Sequence, residues 1–109
     1  MNYQINMVRG DTLAFGLDFE NLDQDLESAF FSVKVNATDD YYIFQKSLEN
    51  GIYKVADNEY IVRIAPEDTA ELDAGNYNFD LQISANGEVF TIMLGIIVLE
   101  QDVTWEVSE

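Results

Sequence analysis

The sequence predicts an all-β protein: an antiparallel β-sandwich of about seven to nine short strands, with one short helical turn near residues 66–72. Three observations carry this. Apolar and polar residues alternate in short runs, as in Leu13, Phe15, Leu17 and Phe19, or Tyr77, Phe79, Leu81 and Ile83. Turn-forming pairs separate the runs at short intervals: Gly10-Asp11, Asp39-Asp40, Asn50-Gly51, Asp57-Asn58 and Asn86-Gly87. The chain is 109 residues long and 48% hydrophobic, enough for one domain with a buried core.

The elements follow in order. Gln4 to Val8 alternates weakly, with Ile5 and Met7 inward, and reads as a first strand. Arg9-Gly10-Asp11-Thr12 reads as a turn, because Gly supplies unusual backbone angles and Asp bonds its own following amides. Arg-Gly-Asp is also the tripeptide that integrins read, but three residues recur by chance and the structural turn is the expectation. Thr12 to Glu20 is the clearest half-buried strand. Asn21 to Glu27 is an acidic loop with Asp23, Asp25 and Glu27 at spacing two. That spacing offers oxygen ligands to Ca²⁺, yet it lacks the central Gly and the twelfth-position acid of an EF-hand, so a solvated loop is expected.

Phe30 to Thr38 reads as a strand with Phe31, Val33 and Val35 inward. Tyr41 to Leu48 is rich in strand-favouring residues on both faces. Ile52 to Val55 and Glu59 to Ile64 form a hairpin around Ala56-Asp57-Asn58. Pro66 suits a first helical position, and Glu67 and Asp68 suit the positive end of a helix. Leu72 tucks under this turn, and Gly75 takes the φ > 0 conformation that ends it. Tyr77 to Ser84 then runs as a core strand, and Asn86-Gly87 marks a hairpin.

Glu88 to Glu100 is the last long strand. Phe90, Ile92, Leu94, Ile96 and Val98 form one face, and Val89, Met93, Ile97 and Leu99 the other, broken by Thr91 and Gly95. One face belongs to the core. The second is apolar as well, and solvent alone does not explain it. Its expected covering is another part of the same domain or another chain. Gly95 signals a bulge or a close backbone approach. The tail keeps alternating through Val103, Trp105 and Val107. The organisation is therefore a sandwich over residues 1–100 and an extended tail over 101–109, a strand continuation or a partner contact.

Charge narrows the function classes. Twenty-one carboxylates face five Lys and Arg, for a net charge of −16. Such a surface repels nucleic acid and anionic membranes. There is no Cys for disulfides or thiolate metal sites, and no His for the commonest general base and zinc ligand. No signal peptide or membrane-spanning run is visible. No cofactor, metal site or catalytic residue is expected.

The stretch Leu72-x-x-Gly75-x-Tyr77 looks like the corner of an immunoglobulin-like sandwich, where a Tyr hydroxyl bonds backwards to the backbone and pins a crossing between sheets. Around it lie Arg9-Gly10-Asp11-Thr12, Gln45-Lys46-Ser47-Leu48, Ile64-Ala65-Pro66-Glu67-Asp68-Thr69, Phe79-Asp80-Leu81-Gln82, Asn86-Gly87 and a closing Asp102-Val103-Thr104. This joint order, over roughly residues 7–104, resembles the immunoglobulin-like domain of phage and prophage virion proteins from Gram-positive bacteria. It is similar to the N-terminal domain of phage baseplate upper proteins and to small tail- or head-fibre-associated proteins. The resemblance implies a non-catalytic module of a tail, baseplate or fibre, made in the bacterial host cytoplasm and located in the virion. Its implied partners are other virion proteins or copies of itself in a homo-oligomer.

The residues expected to meet a partner are Val89, Met93, Ile97 and Leu99, with Val103, Trp105 and Val107 of the tail. Leu72, Gly75 and Tyr77 are expected to be structural. The alternative is a carbohydrate- or cell-surface-binding module, with Tyr41, Tyr42, Tyr53 and Tyr60 as aromatic platforms.

Overall fold

The computed structural model describes residues 2–20, 22 and 24–102. Eight strands and one helical turn follow in the order β1 (Asn2–Val8), β2 (Leu13–Asp18), β3 (Ser28–Lys34), β4 (Phe44–Ser47), β5 (Ile52–Ala56), β6 (Glu59–Ile64), α1 (Pro66–Thr69), β7 (Gly75–Ala85) and β8 (Glu88–Glu100). They form a five-stranded sheet, β1-β8-β7-β3-β4, and a three-stranded sheet, β2-β6-β5. All pairings are antiparallel except β1 on β8, which is parallel. This is an all-β, immunoglobulin-like sandwich. The chain passes between sheets at the β1–β2, β2–β3, β4–β5 and β6–β7 connections.

The core lies between the inner faces, as alternation dictates. Phe31, Val33, Phe79, Leu81 and Ile83 meet Leu17, Tyr60, Val62 and Ile64 from the other sheet. Phe31 is central: its ring stacks at a tilt on Phe79 at 5.2 Å and takes Phe15 edge-on at 5.8 Å, so one side chain joins the two layers. Tyr60 is also buried, and its hydroxyl accepts the amide of Leu26 at 3.0 Å. It is therefore a core residue that anchors the acidic loop, not the exposed platform that a sugar site needs.

Three strands are shorter than their residue patterns suggest: β2 keeps only Leu13–Asp18 of Thr12 to Glu20, and β3 and β4 are cut back as well. β3 stops at Lys34, and Val35 is 43% exposed instead of inward. A local turn ends it: Asp39 accepts the Asn36 amide on its carboxylate and the Lys34 ammonium on its carbonyl. Tyr41 and Tyr42 then lie exposed ahead of β4, so the strand expected from Tyr41 keeps only Phe44–Ser47.

β8 spans Glu88–Glu100, the span its residues predict, but its faces do not alternate throughout. The register moves from Leu81↔Met93 to Gln82↔Thr91, so Ile92 is an extra residue in a bulge. The bulge switches which residues face inward. After it, Met93, Ile97 and Leu99 point toward the core, while Leu94, Ile96 and Val98 point outward.

Candidate interaction surface

The helical corner is built from its own side chains. Pro66 opens α1, the Asp68 carboxylate accepts the Ala65 amide at 2.7 Å, and Thr69 is buried. Gly75 begins β7 at a φ of 150°, and Tyr77 donates its hydroxyl to the Asp73 carbonyl at 2.5 Å. Burial raises the Tyr77 pKa, and the Asp73 carboxylate adds to it, so the phenol stays a donor. Leu72 packs against the core beneath the turn. The backward-bonded Tyr corner is present as its spacing implies.

Segments far apart in sequence converge on this corner. Arg9 places its guanidinium on the Asp102 carboxylate at 2.9 and 3.0 Å and on the Leu72 carbonyl at 3.2 Å. The Gly10 amide donates to the Thr69 hydroxyl at 2.9 Å. Lys46 on β4 points inward, opposite Phe31 in the register, and meets Asp68 at 2.7 Å while only 5% exposed. The Arg-Gly-Asp-Thr turn, the Gln-Lys-Ser segment and the Pro-Glu-Asp-Thr corner are thus joined by ion pairs and hydrogen bonds. Arg9 is consumed in that clamp, which explains the tripeptide structurally. Asp25 of the acidic loop pairs with Lys54 at 2.7 Å, and Glu27 accepts the Gly87 amide. Asp23 lies outside the described residues. Among the described residues, no group of three or more carboxylates gathers as a metal site would require.

The partner residues expected on β8 divide. Ile97 and Leu99 are each 2% exposed and belong to the core, and Met93 packs against it. They are covered by the opposing sheet, because the Ile92 bulge turned that face inward. Val89 alone of the four is open, at 62% exposure. Val103, Trp105 and Val107 lie outside the described residues. The apolar residues that β8 presents outward are instead Leu94, Ile96 and Val98, with Leu94 the most exposed of the three.

Beside that stripe lies a feature the residue pattern did not single out. β1 is the outermost strand of the larger sheet. Its Arg9 end is bonded to β8 through the Arg9 amide and the Glu100 carbonyl, at 2.9 Å. By the pleat, Tyr3, Ile5 and Met7 share that direction. Asn2, Gln4 and Asn6 therefore turn their backbone N–H and C=O groups to the free edge. Their side chains lie on the outer face, in register with Leu94, Ile96 and Val98. Gln4 and Asn6 hydrogen-bond each other there at 3.0 Å. β1 is seven residues long and holds no charge and no Pro.

The other edges are defended. β4 has four residues and turns Lys46 inward; β5 carries Lys54 and a register break; β2 ends on Asp18 and is flanked by Asp11 and Glu20. The signal for β1 was available in the sequence: an uncharged, strand-prone stretch in a chain of net charge −16. What hid its position is that period-2 alternation does not tell which sheet a strand joins.

A second feature lies on the same outer face. Phe30 and Tyr42 flank a shallow groove floored by Ser32, Gln45, Asp80 and Gln82. Gln45 donates to Ser32 at 2.9 Å. Asp80 faces outward here, and the Lys34 ammonium bonds the Asp39 carbonyl. Burial raises the Asp80 pKa, and the Lys34 charge offsets part of the rise.

No family model and no curated protein sequence matches the chain. Among solved structures, the fold is similar to part of an endo-β-1,4-mannanase from Thermotoga petrophila, with 11% identity and a TM-score of 0.58. That match covers 91% of this chain and 18% of the mannanase chain. It is also similar to CopC from Methylosinus trichosporium OB3b, with 15% identity and a TM-score of 0.52 over 94% of this chain and 89% of that one. At such identities the likeness is one of fold alone. Among the described residues, no helix is long and apolar enough to cross a membrane.

Proposed function

We propose that the chain is a non-catalytic structural and interaction module of a phage or prophage particle, acting in a tail, baseplate or fibre through β-edge and apolar-face contacts. The observation that carries this reading is the β1 edge: an uncharged seven-residue strand whose Asn2, Gln4 and Asn6 turn their backbone groups outward, beside the outward Leu94, Ile96 and Val98. An extended partner strand gains main-chain hydrogen bonds there and apolar area next to it. Its partners are other virion proteins or further copies of the chain. The corner that unites the Arg9, Lys46 and Asp68 segments acts as scaffold in this reading, since each of those charges is already paired within the domain. The test is proteomic. Purified particles from an induced lysogen encoding the chain should contain it in stoichiometric amounts after stringent banding, and particles lacking it would contradict the proposal.

A second reading, a carbohydrate- or cell-surface-binding module, is favoured by the Phe30–Tyr42 groove. Exposed aromatic faces beside a carboxylate, amides and a hydroxyl are the groups that stack on and hydrogen-bond a sugar. A glycan array that gives hits lost in Phe30→Ala would support it, and an array without hits would remove it.

A further inference from the structure

We infer that two copies of this chain pair through β1, strand against antiparallel strand across a two-fold axis, joining their larger sheets into one of ten strands. The inference rests on the reading of β1 as an interaction edge and names its occupant.

The register follows from the pleat. Gln4 and Asn6 expose their N–H and C=O groups at the free edge, while Ile5 directs its own toward β8. An axis through Ile5 sets Gln4 opposite Asn6 of the second copy, and Asn6 opposite its Gln4. Each of these two residue pairs exchanges two main-chain hydrogen bonds. The ladder ends toward Val8, whose carbonyl already accepts the Asp11 amide.

The chemistry of the edge selects a second copy. Amide side chains both donate and accept, so a strand bearing Asn2, Gln4 and Asn6 is complementary to itself across a two-fold axis. An acidic or basic partner strand finds no opposite charge on β1. The outward residues beside it are uncharged as well, Leu94, Ile96 and Val98 on β8 and Asn76 and Asn78 on β7, between Asp80 opposite Leu94 and Glu100 opposite Val8. In a chain of net charge −16, this is where two copies approach with the least repulsion. The overall charge still opposes association, so the pairing is weak at low salt and strengthens as salt screens it.

Analytical ultracentrifugation over a concentration series tests this. The wild-type chain should approach twice its 12.4 kDa mass at high concentration, more readily at 0.5 M than at 0.02 M NaCl. Gln4→Pro removes an edge N–H without touching the β8 ladder, and Asn6→Glu sets like charges near the axis. Each should weaken dimerisation at least tenfold while circular dichroism and melting show a folded domain. A chain truncated after Asp102 should dimerise like the wild type. A wild-type monomer throughout the series overturns the inference, as does a dimer that both edge variants leave intact. Loss of dimer on truncation alone, with the edge variants unaffected, also overturns it by assigning the contact to the tail. None of these results bears on whether the chain is found in particles, so the reading of the edge as a partner site stands or falls separately.

Discussion

Tyr77 sets its hydroxyl on the carbonyl of Asp73, four residues back, where the chain leaves α1 and enters the larger sheet. That bond holds the crossing at a fixed angle, and the phenol's raised pKa keeps the proton on it through the neutral range. Replacing Tyr77 with Phe keeps the ring and removes the bond. Denaturant unfolding should show a loss of about 1 kcal/mol with an unchanged m-value, and unchanged stability would refute the corner's role. Asp80 is the other residue with a legible energetic signature. Its folded pKa lies above its unfolded one, so its ionisation destabilises the native state as pH rises through the carboxylate range. Below that range the group is neutral in both states and the cost vanishes. Asp80→Asn should therefore raise the melting temperature at pH 7, with the gain fading as pH falls below the ordinary Asp value. An equal gain at pH 7 and pH 3 would mean that the effect is not one of ionisation.

At the scale of elements, β1 and β8 depend on a single missing side chain. A Cβ on Gly95 would overlap the backbone of Tyr3, so Gly is what lets the parallel strand lie against β8 at this point. Gly95→Ala should cost about 1–3 kcal/mol and loosen the first half of β1 selectively. Hydrogen exchange confined to Tyr3 and Ile5 would report it, and a variant as stable as the parent with β1 still protected would refute the close approach. The sequence marked Gly95 as a bulge or a close approach. The structure assigns the close approach to Gly95 and the bulge to Ile92. That extra residue is why the β8 faces depart from strict alternation. Strict alternation from Val89 carries Ile97 and Leu99 to the wrong side once an extra residue intervenes. Strand existence was legible because alternation and turn residues are local. The end of β3 is not legible locally, because Val35 continues the pattern while the turn that ends the strand depends on Asp39 bonding back across three residues. The residues around Lys46 favour a strand on both faces and do not set the direction of its side chain. Its inward direction depends on Asp68, twenty-two residues later in the chain and invisible to any local pattern.

At the scale of the whole molecule, a strongly acidic domain leaves a neutral border. The net charge of −16 keeps copies apart over most of the surface, and the defended edges of β2, β4 and β5 discourage stray strand pairing. β1 departs from that pattern, and the account's central claim is that its open edge is a built contact between two copies of the chain. Amide hydrogen exchange followed by NMR at low and high protein concentration addresses that claim residue by residue. The amides of Gln4 and Asn6, which point away from β8, should exchange freely in dilute solution and become protected as concentration rises, while those of Ile5 and Met7 stay protected throughout. Gln4 and Asn6 amides that remain equally exposed at both concentrations would contradict it.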